Sequence, residues 1–64
     1  MEKILAKLPE HERGFVQRVL DLINSTESGF TRRIFCSRLA GIADMLLAEG
    51  FITTDEYIVM VKVR

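Results

Sequence analysis

The 64-residue sequence has little that could staple or anchor a fold: one cysteine, one proline, no tryptophan and no excess of either charge. Cys36 alone cannot form a disulfide within the chain. A structural zinc site wants four ligands, and Cys36 and His11 supply only two. The longest unbroken apolar run, residues 57 to 61, is far shorter than a membrane-spanning helix. We therefore expect no metal, no cofactor and no membrane anchor.

The balance of charge also limits the classes of partner that the sequence predicts. Nine basic and nine acidic residues give no global field that would draw the chain to nucleic acid or anionic lipid, although a local basic patch could still suffice. The first residues contain no apolar signal-peptide region. Together with a single unpaired cysteine, this predicts a cytoplasmic protein.

The length allows one domain, spanning residues 1–64. A chain this short buries only about 60% of the surface that its unfolded form exposes, so its stability margin is thin. Small proteins usually gain further stability from disulfides, a structural metal ion or self-association. With disulfides and zinc excluded, and 48% of residues hydrophobic, self-association is the remaining means of burying more surface.

Helical spacing of apolar residues predicts a first helix over about residues 9–23. Pro9 suits the first helical position, where a missing N–H costs nothing. Glu10 and Glu12 place negative charge at the positive end of the helix dipole. One apolar face follows at three- and four-residue spacing: Phe15, Val16, Val19, Leu20 and Ile23. Residues 1–8 can add an extra turn or a loose arm that packs Ile4, Leu5 and Leu8 onto the core.

A second helix is predicted over about residues 31–49, capped by Ser28 or Thr31. Its apolar residues form two neighbouring seams. The first seam is Phe35, Leu39, Ile42 and Leu46, and the second is Cys36, Ala40, Ala43 and Leu47. This wide stripe fits a central helix covered on both sides. The alternative is that part of it, the first seam, is a homodimer interface.

The stretch "EGFITTDEYIVMVKVR", residues 49–64, supports two structures. Gly50 suits a helix stop, and Thr53 with Glu56 forms a capping box that begins a third helix over 53–63. The β-branched residues of "YIVMVKV" instead favour a strand, which would make "TTDE" the turn of a C-terminal β-hairpin. That turn lacks Gly and Asn, so we favour the helix.

Residues 43–64 resemble the short C-terminal helical module called SHOCT. The matching positions are Leu46, Gly50, Ile52, Thr53, Glu56 and Tyr57, and the pattern departs from the family after Tyr57, where "IVMVKV" replaces Glu, Lys and Ala. This resemblance implies an interaction or oligomerisation module without catalysis. "MLLAEGFI" is also similar to the junction between recognition helix and wing in winged-helix domains, which implies DNA binding. However, "FTRRIFCSRLAG" lacks the break between helices which that fold needs.

Arg32, Arg33 and Arg38 are the one local concentration of charge, near the positive end of the second helix. They form either a solvated face beside Glu27 or a site for an anion or an acidic partner. Cys36 has apolar neighbours and fits a buried structural thiol better than a nucleophile paired with His11.

The sequence thus predicts an all-α domain of three helices (about 9–23, 31–49 and 53–63) that is not an enzyme and acts as a self-associating interaction or regulatory protein. We expect its partner to be a second copy, in a dimer, or another protein. The alternative is a winged-helix-like α+β fold that binds DNA as a transcriptional regulator.

Overall fold

The fold is helical throughout the part of the chain that the computed structural model describes, residues 1–63; Arg64, the last residue of the segment compared above, lies outside the described residues. The helices are α1 (Glu2–Lys7), α2 (Glu10–Ser25), α3 (Gly29–Ala48) and α4 (Thr54–Val61). The predicted all-α class is confirmed for residues 1–63, but the expected three helices become four.

The additional helix is α1, where the sequence indicated an extra turn or a loose arm. The Leu5 N–H donates to the Met1 carbonyl at 3.0 Å, which closes the first turn. The helix stops at Leu8 because the following Pro9 pushes its predecessor into extended backbone, with φ −77° and ψ 149°. Ile4 and Leu8 are buried in the core, so the predicted packing of this segment is confirmed.

The N-caps of α2 and α3 are Pro9 and Ser28. Pro9 is the N-cap of α2, so this helix begins at Glu10, one residue later than predicted, and it continues to Ser25. Ser28 is the N-cap of α3, and its hydroxyl accepts the Thr31 N–H at 3.2 Å. Of the two capping residues that the sequence offered, Ser28 is therefore the one used.

α3 ends in a Schellman motif centred on Gly50, which has a φ of +81°. The Gly50 N–H donates to the Leu47 carbonyl at 3.1 Å, and the Phe51 N–H donates to the Leu46 carbonyl at 2.9 Å. Both bonds satisfy carbonyl groups that the end of a helix would otherwise leave without partners. The predicted glycine stop is confirmed.

The capping box at the start of α4 is also confirmed. The Thr53 hydroxyl accepts the Glu56 N–H at 3.2 Å, and the Glu56 carboxylate accepts the Thr53 N–H at 2.8 Å. Glu56 also accepts a bond from the Lys7 ammonium group at 2.8 Å, which ties α4 to α1. The valine-rich segment is therefore helical, since the cap and the complete burial of Met60 outweigh its strand propensity.

The structure of residues 1–63 accordingly does not favour the winged-helix alternative. It required residues after "TTDE" to run back as a strand, and the structure places α4 there.

α3 lies at the centre of the molecule, packed against both α2 and α4. α1 packs against α2. The core collects buried hydrophobic residues from all four helices and two connections: Ile4, Leu8, Val16, Val19, Leu20, Ile23, Leu39, Ala43, Leu46, Ile52 and Met60. The prediction of a central helix covered on two sides is confirmed.

Candidate protein-interaction surface

The predicted homodimer seam does not lie at the surface. Leu39 is 0% exposed and Leu46 is 1% exposed, while Phe35 and Ile42 are partly buried against the core. These residues are covered within one chain because α3 packs against both α2 and α4. As an interface made of these four residues, the seam prediction is corrected, because two of them have no surface left to offer.

A different apolar stripe of α3 faces solvent. It recurs at three- and four-residue spacing on the side of the helix away from Leu39, and we call it the outer face: Phe30, Ile34, Ser37, Gly41, Met45 and Ala48. The large side chains are well exposed, with Phe30 at 75%, Ile34 at 46% and Met45 at 51%. All six residues are uncharged, which is unusual for a solvent-facing helix surface.

Four exposed charged residues flank the outer face in an ordered way. Arg33 and Arg38 lie beside its N-terminal half, and Asp44 and Glu49 lie beside its C-terminal half. Within residues 1–63 the ion pair that forms is Lys7 with Glu56, so these four charges have no ion-pair partner in the described part of the chain. Each end of the face therefore carries its own sign of charge.

An open apolar depression of about 300 Å³ adjoins the outer face between α2 and α3. Phe15, Ile42, Met45 and Phe51 line it, and Glu49 lies at its edge. Phe15 is 49% exposed and thereby extends the apolar surface from α3 onto α2. The volume is at the lower limit of small-molecule sites, so the depression fits a side chain of a partner better than a ligand.

The three arginines of the predicted anion site do not converge. Arg32 and Arg33 line a second open depression, of about 410 Å³, and Arg38 is not part of it. The Arg38 guanidinium carbon lies 6.0 Å from the centre of the Phe35 ring, at the limit of a cation–π contact. Adjacent helical residues point about 100° apart, so Arg32 and Arg33 point in different directions although both line this depression.

The Arg32 side chain links the beginning of α3 to the end of α2. Its Nη2 donates to the Thr26 carbonyl at 2.8 Å, across the turn between α2 and α3, while its buried Nε has no partner among the described residues. The guanidinium group thus caps the end of α2, and Glu27, its expected neighbour in the solvated interpretation, does not pair with it in residues 1–63. Of the predicted anion site, two residues remain close together, and one of them is already engaged.

Cys36 and His11 belong to different surfaces. Cys36 is partly buried beside Arg32 and Arg33, whereas His11 lines the apolar depression and meets the Phe15 ring edge-on, with centroids 6.3 Å apart. Across residues 1–63 we find no group of three or more His, Cys, Asp or Glu side chains placed to share a metal ion. Each helix of the described chain is too short or too polar to cross a lipid bilayer.

The two shifted pKa values belong to the attachment of α4. The Lys7 ammonium group and the Thr53 N–H lower the pKa of Glu56 by bonding to its charged form. The Asp44 carboxylate, next to the hydroxyl of Tyr57, raises the pKa of that tyrosine. The first of these contacts ties α4 to α1, and the second places Tyr57 of α4 beside Asp44 of α3.

Comparison of the chain with protein-family models, curated proteins and solved structures finds no match. The resemblance of residues 43–64 to the SHOCT module therefore rests on the residues quoted above. In the structure, Gly50 ends α3, and Thr53 and Glu56 form the capping box of α4.

Proposed function

We propose that this chain is a non-enzymatic interaction protein of a regulatory kind, which associates with a second copy of itself through the outer face of α3. The observation that carries the proposal is the exposure of Phe30, Ile34 and Met45 along one uncharged stripe of the central helix. Large apolar side chains exposed along one face of a helix are typical of a surface that binds a partner.

The size of the domain supports the same conclusion. A core of this size supplies roughly 3–5 kcal/mol of folding stability, so burying the outer face would add substantially to a small total. The likeness to SHOCT also implies an oligomerisation module. We propose the cytosol as its location, since a single thiol that lacks a second cysteine in the chain suits a reducing compartment.

The test compares two substitutions at nearly equal exposure. Ile34 on the outer face is 46% exposed, and Val59 on α4 is 48% exposed. Replacing Ile34 with Glu places a charge in the proposed interface, whereas replacing Val59 with Glu adds the same charge outside it. Analytical ultracentrifugation should show a dimer for the wild type and for Val59→Glu, and a monomer for Ile34→Glu.

Circular dichroism of the three proteins checks that each is folded. Two results would argue against the proposal. One is a wild-type protein that stays monomeric at millimolar concentration. The other is a dimer that Val59→Glu disrupts as strongly as Ile34→Glu, which would place the interface elsewhere.

A further inference from the structure

The charges beside the outer face are arranged in two matching rows. Arg33 and Asp44 lie about three helical turns apart on the flank toward α4, where Asp44 adjoins Tyr57. Arg38 and Glu49 lie about three turns apart on the flank toward α2, where Glu49 borders the depression lined by Phe15. Each flank thus runs from a positive residue at its N-terminal end to a negative residue at its C-terminal end.

This pattern distinguishes the two ways of pairing two copies of α3. In an antiparallel pair, like flanks lie side by side in opposite directions, so each arginine of one copy approaches an acidic residue of the other. In a parallel pair about a two-fold axis, each flank instead lies beside the opposite flank of the partner, which brings Arg33 of one copy near Arg38 of the other and Asp44 near Glu49, so like charges meet. The helix dipoles also oppose the parallel arrangement and favour the antiparallel one.

Gly41 indicates where the two helices would cross. It is exposed in the middle of α3, and a Cβ added there would meet nothing within 4 Å in the same chain. Glycine in a helix costs about 1 kcal/mol relative to alanine, and packing inside the monomer gives no reason for it. A closely approaching partner helix supplies such a reason.

The residues on either side of Gly41 fit this crossing point. With a two-fold axis at Gly41, Ile34 of one copy lies level with Ala48 of the other, and Met45 lies level with Ser37. In these two pairs a large side chain opposes a small one, which favours close helix packing on both sides of Gly41.

We propose that two copies pair by antiparallel packing of the outer faces of α3 about a two-fold axis near Gly41, so that Arg33 and Arg38 of each copy face Asp44 and Glu49 of the other. This proposal rests on the proposed self-association and adds the orientation, the crossing point and the charge pairing.

Charge reversal tests the orientation. Each single change, Arg38→Glu or Glu49→Arg, converts two attractive pairs per dimer into repulsive ones and should raise the dissociation constant roughly tenfold. The double variant, Arg38→Glu with Glu49→Arg, restores opposite charges in an antiparallel dimer and should return the dissociation constant to near the wild-type value. In a parallel dimer each single change would turn a repulsive pair, Arg33 with Arg38 or Asp44 with Glu49, into an attractive one, so dissociation constants that are unchanged or lower would overturn the proposal.

Disulfide trapping gives an independent answer in a chain whose Cys36 is replaced by serine. Ser37→Cys and Met45→Cys variants, mixed in equal amounts, should form a disulfide between the two different chains under mild oxidation. Each variant alone should form little, because identical positions would lie about 12 Å apart along an antiparallel pair, well beyond the Cα separation that a disulfide spans.

The outcomes separate the two proposals. A monomeric wild type overturns both. A wild-type dimer in which each cysteine variant readily cross-links to itself keeps the self-association and overturns the antiparallel pairing.

Discussion

The capping box of α4 should carry a measurable share of the stability of this small domain. Replacing Thr53 with alanine removes the hydroxyl that accepts the Glu56 N–H at 3.2 Å and leaves that N–H at the open end of the helix. Loss of a threonine N-cap costs about 1 kcal/mol. For a domain of this size that corresponds to a fall of roughly 4–8 °C in Tm. A folding stability of roughly 3–5 kcal/mol makes this a large fraction of the total.

Thr54 provides the matched control. It is the first residue of α4, it is exposed, and its side chain makes no hydrogen bond among the described residues. Thr54→Ala should leave the free energy of unfolding unchanged or slightly raised, because alanine is the better helix former. Urea titration followed by circular dichroism, at one fixed protein concentration, measures both variants while holding any association constant. Equal stabilities of Thr53→Ala and Thr54→Ala would refute the assigned role of the cap.

Three further results are expected. The Lys7 ammonium group lowers the pKa of Glu56 from its ordinary value of 4.5, so the carboxylate contributes stability that is present above that pH and is lost as pH falls through the lowered value. Glu56→Gln should therefore have a lower urea midpoint than wild type at neutral pH, and this difference should disappear under strong acid. A difference that persists in acid would contradict this cause. Gly50→Ala should lower the free energy of unfolding by about 1 kcal/mol, because an alanine backbone is strained at φ +81°. Gly50→Asn should lower it by less. Equal thermal melts for the two variants would contradict backbone strain as the reason. Gly41→Ala and Gly14→Ala should both raise helix stability, since neither added Cβ meets another atom within 4 Å. Only Gly41→Ala should weaken the dimer in sedimentation experiments. Equal dissociation constants for the two variants would exclude a close helix crossing at Gly41.

Local sequence signals predicted the C-terminal third of the fold because each one acts within a few residues. Gly50 adopts the left-handed backbone that ends α3, and Thr53 and Glu56 bond to each other's backbone to begin α4. These contacts need no distant partner, so the sequence contains all the information required. They outweighed the strand propensity of Val59 and Val61, which depends on a neighbouring strand that the described chain does not provide.

The sequence predicted α1 only as an extra turn or a loose arm, for the opposite reason. A six-residue helix is too short to show a repeating apolar face, and helices of this length are unstable by themselves in water. α1 is stabilised when Ile4 and Leu8 enter the core and Lys7 reaches Glu56, forty-nine residues along the chain. That contact is long-range, and nothing near Lys7 in the sequence indicates it.

The proposed interaction surface differs from the seam predicted from the sequence because α3 is apolar around most of its circumference. Helical spacing identified the seam containing Leu39 and Leu46, but the positions of α2 and α4 decide which apolar faces are covered. The outer face with Ile34 and Met45 was present in the sequence at the same spacing, and a helix covered on two sides still leaves a third side free. Alanine at Leu39 or Leu46 would therefore test the core, at a cost of about 2–5 kcal/mol, and would say nothing about association.

The arginines illustrate a limit of adjacency in sequence. Arg32 and Arg33 are neighbours in the chain, yet Arg32 turns inward to bond the Thr26 carbonyl while Arg33 stays exposed at the flank of α3. Arg38 leans over Phe35 on the other flank. Arginines that are close in the sequence therefore make different contacts in the folded helix, although Arg32 and Arg33 line the same depression.

Self-association is tested most directly by the mass of the wild-type protein in solution, measured by sedimentation equilibrium from micromolar to millimolar concentration. Dimerisation through the outer face of α3 predicts a mass that rises with concentration to twice the chain mass of 7.3 kDa and then levels off, because a two-fold interface closes on itself. A mass that stays at that of a single chain over the whole range would contradict it.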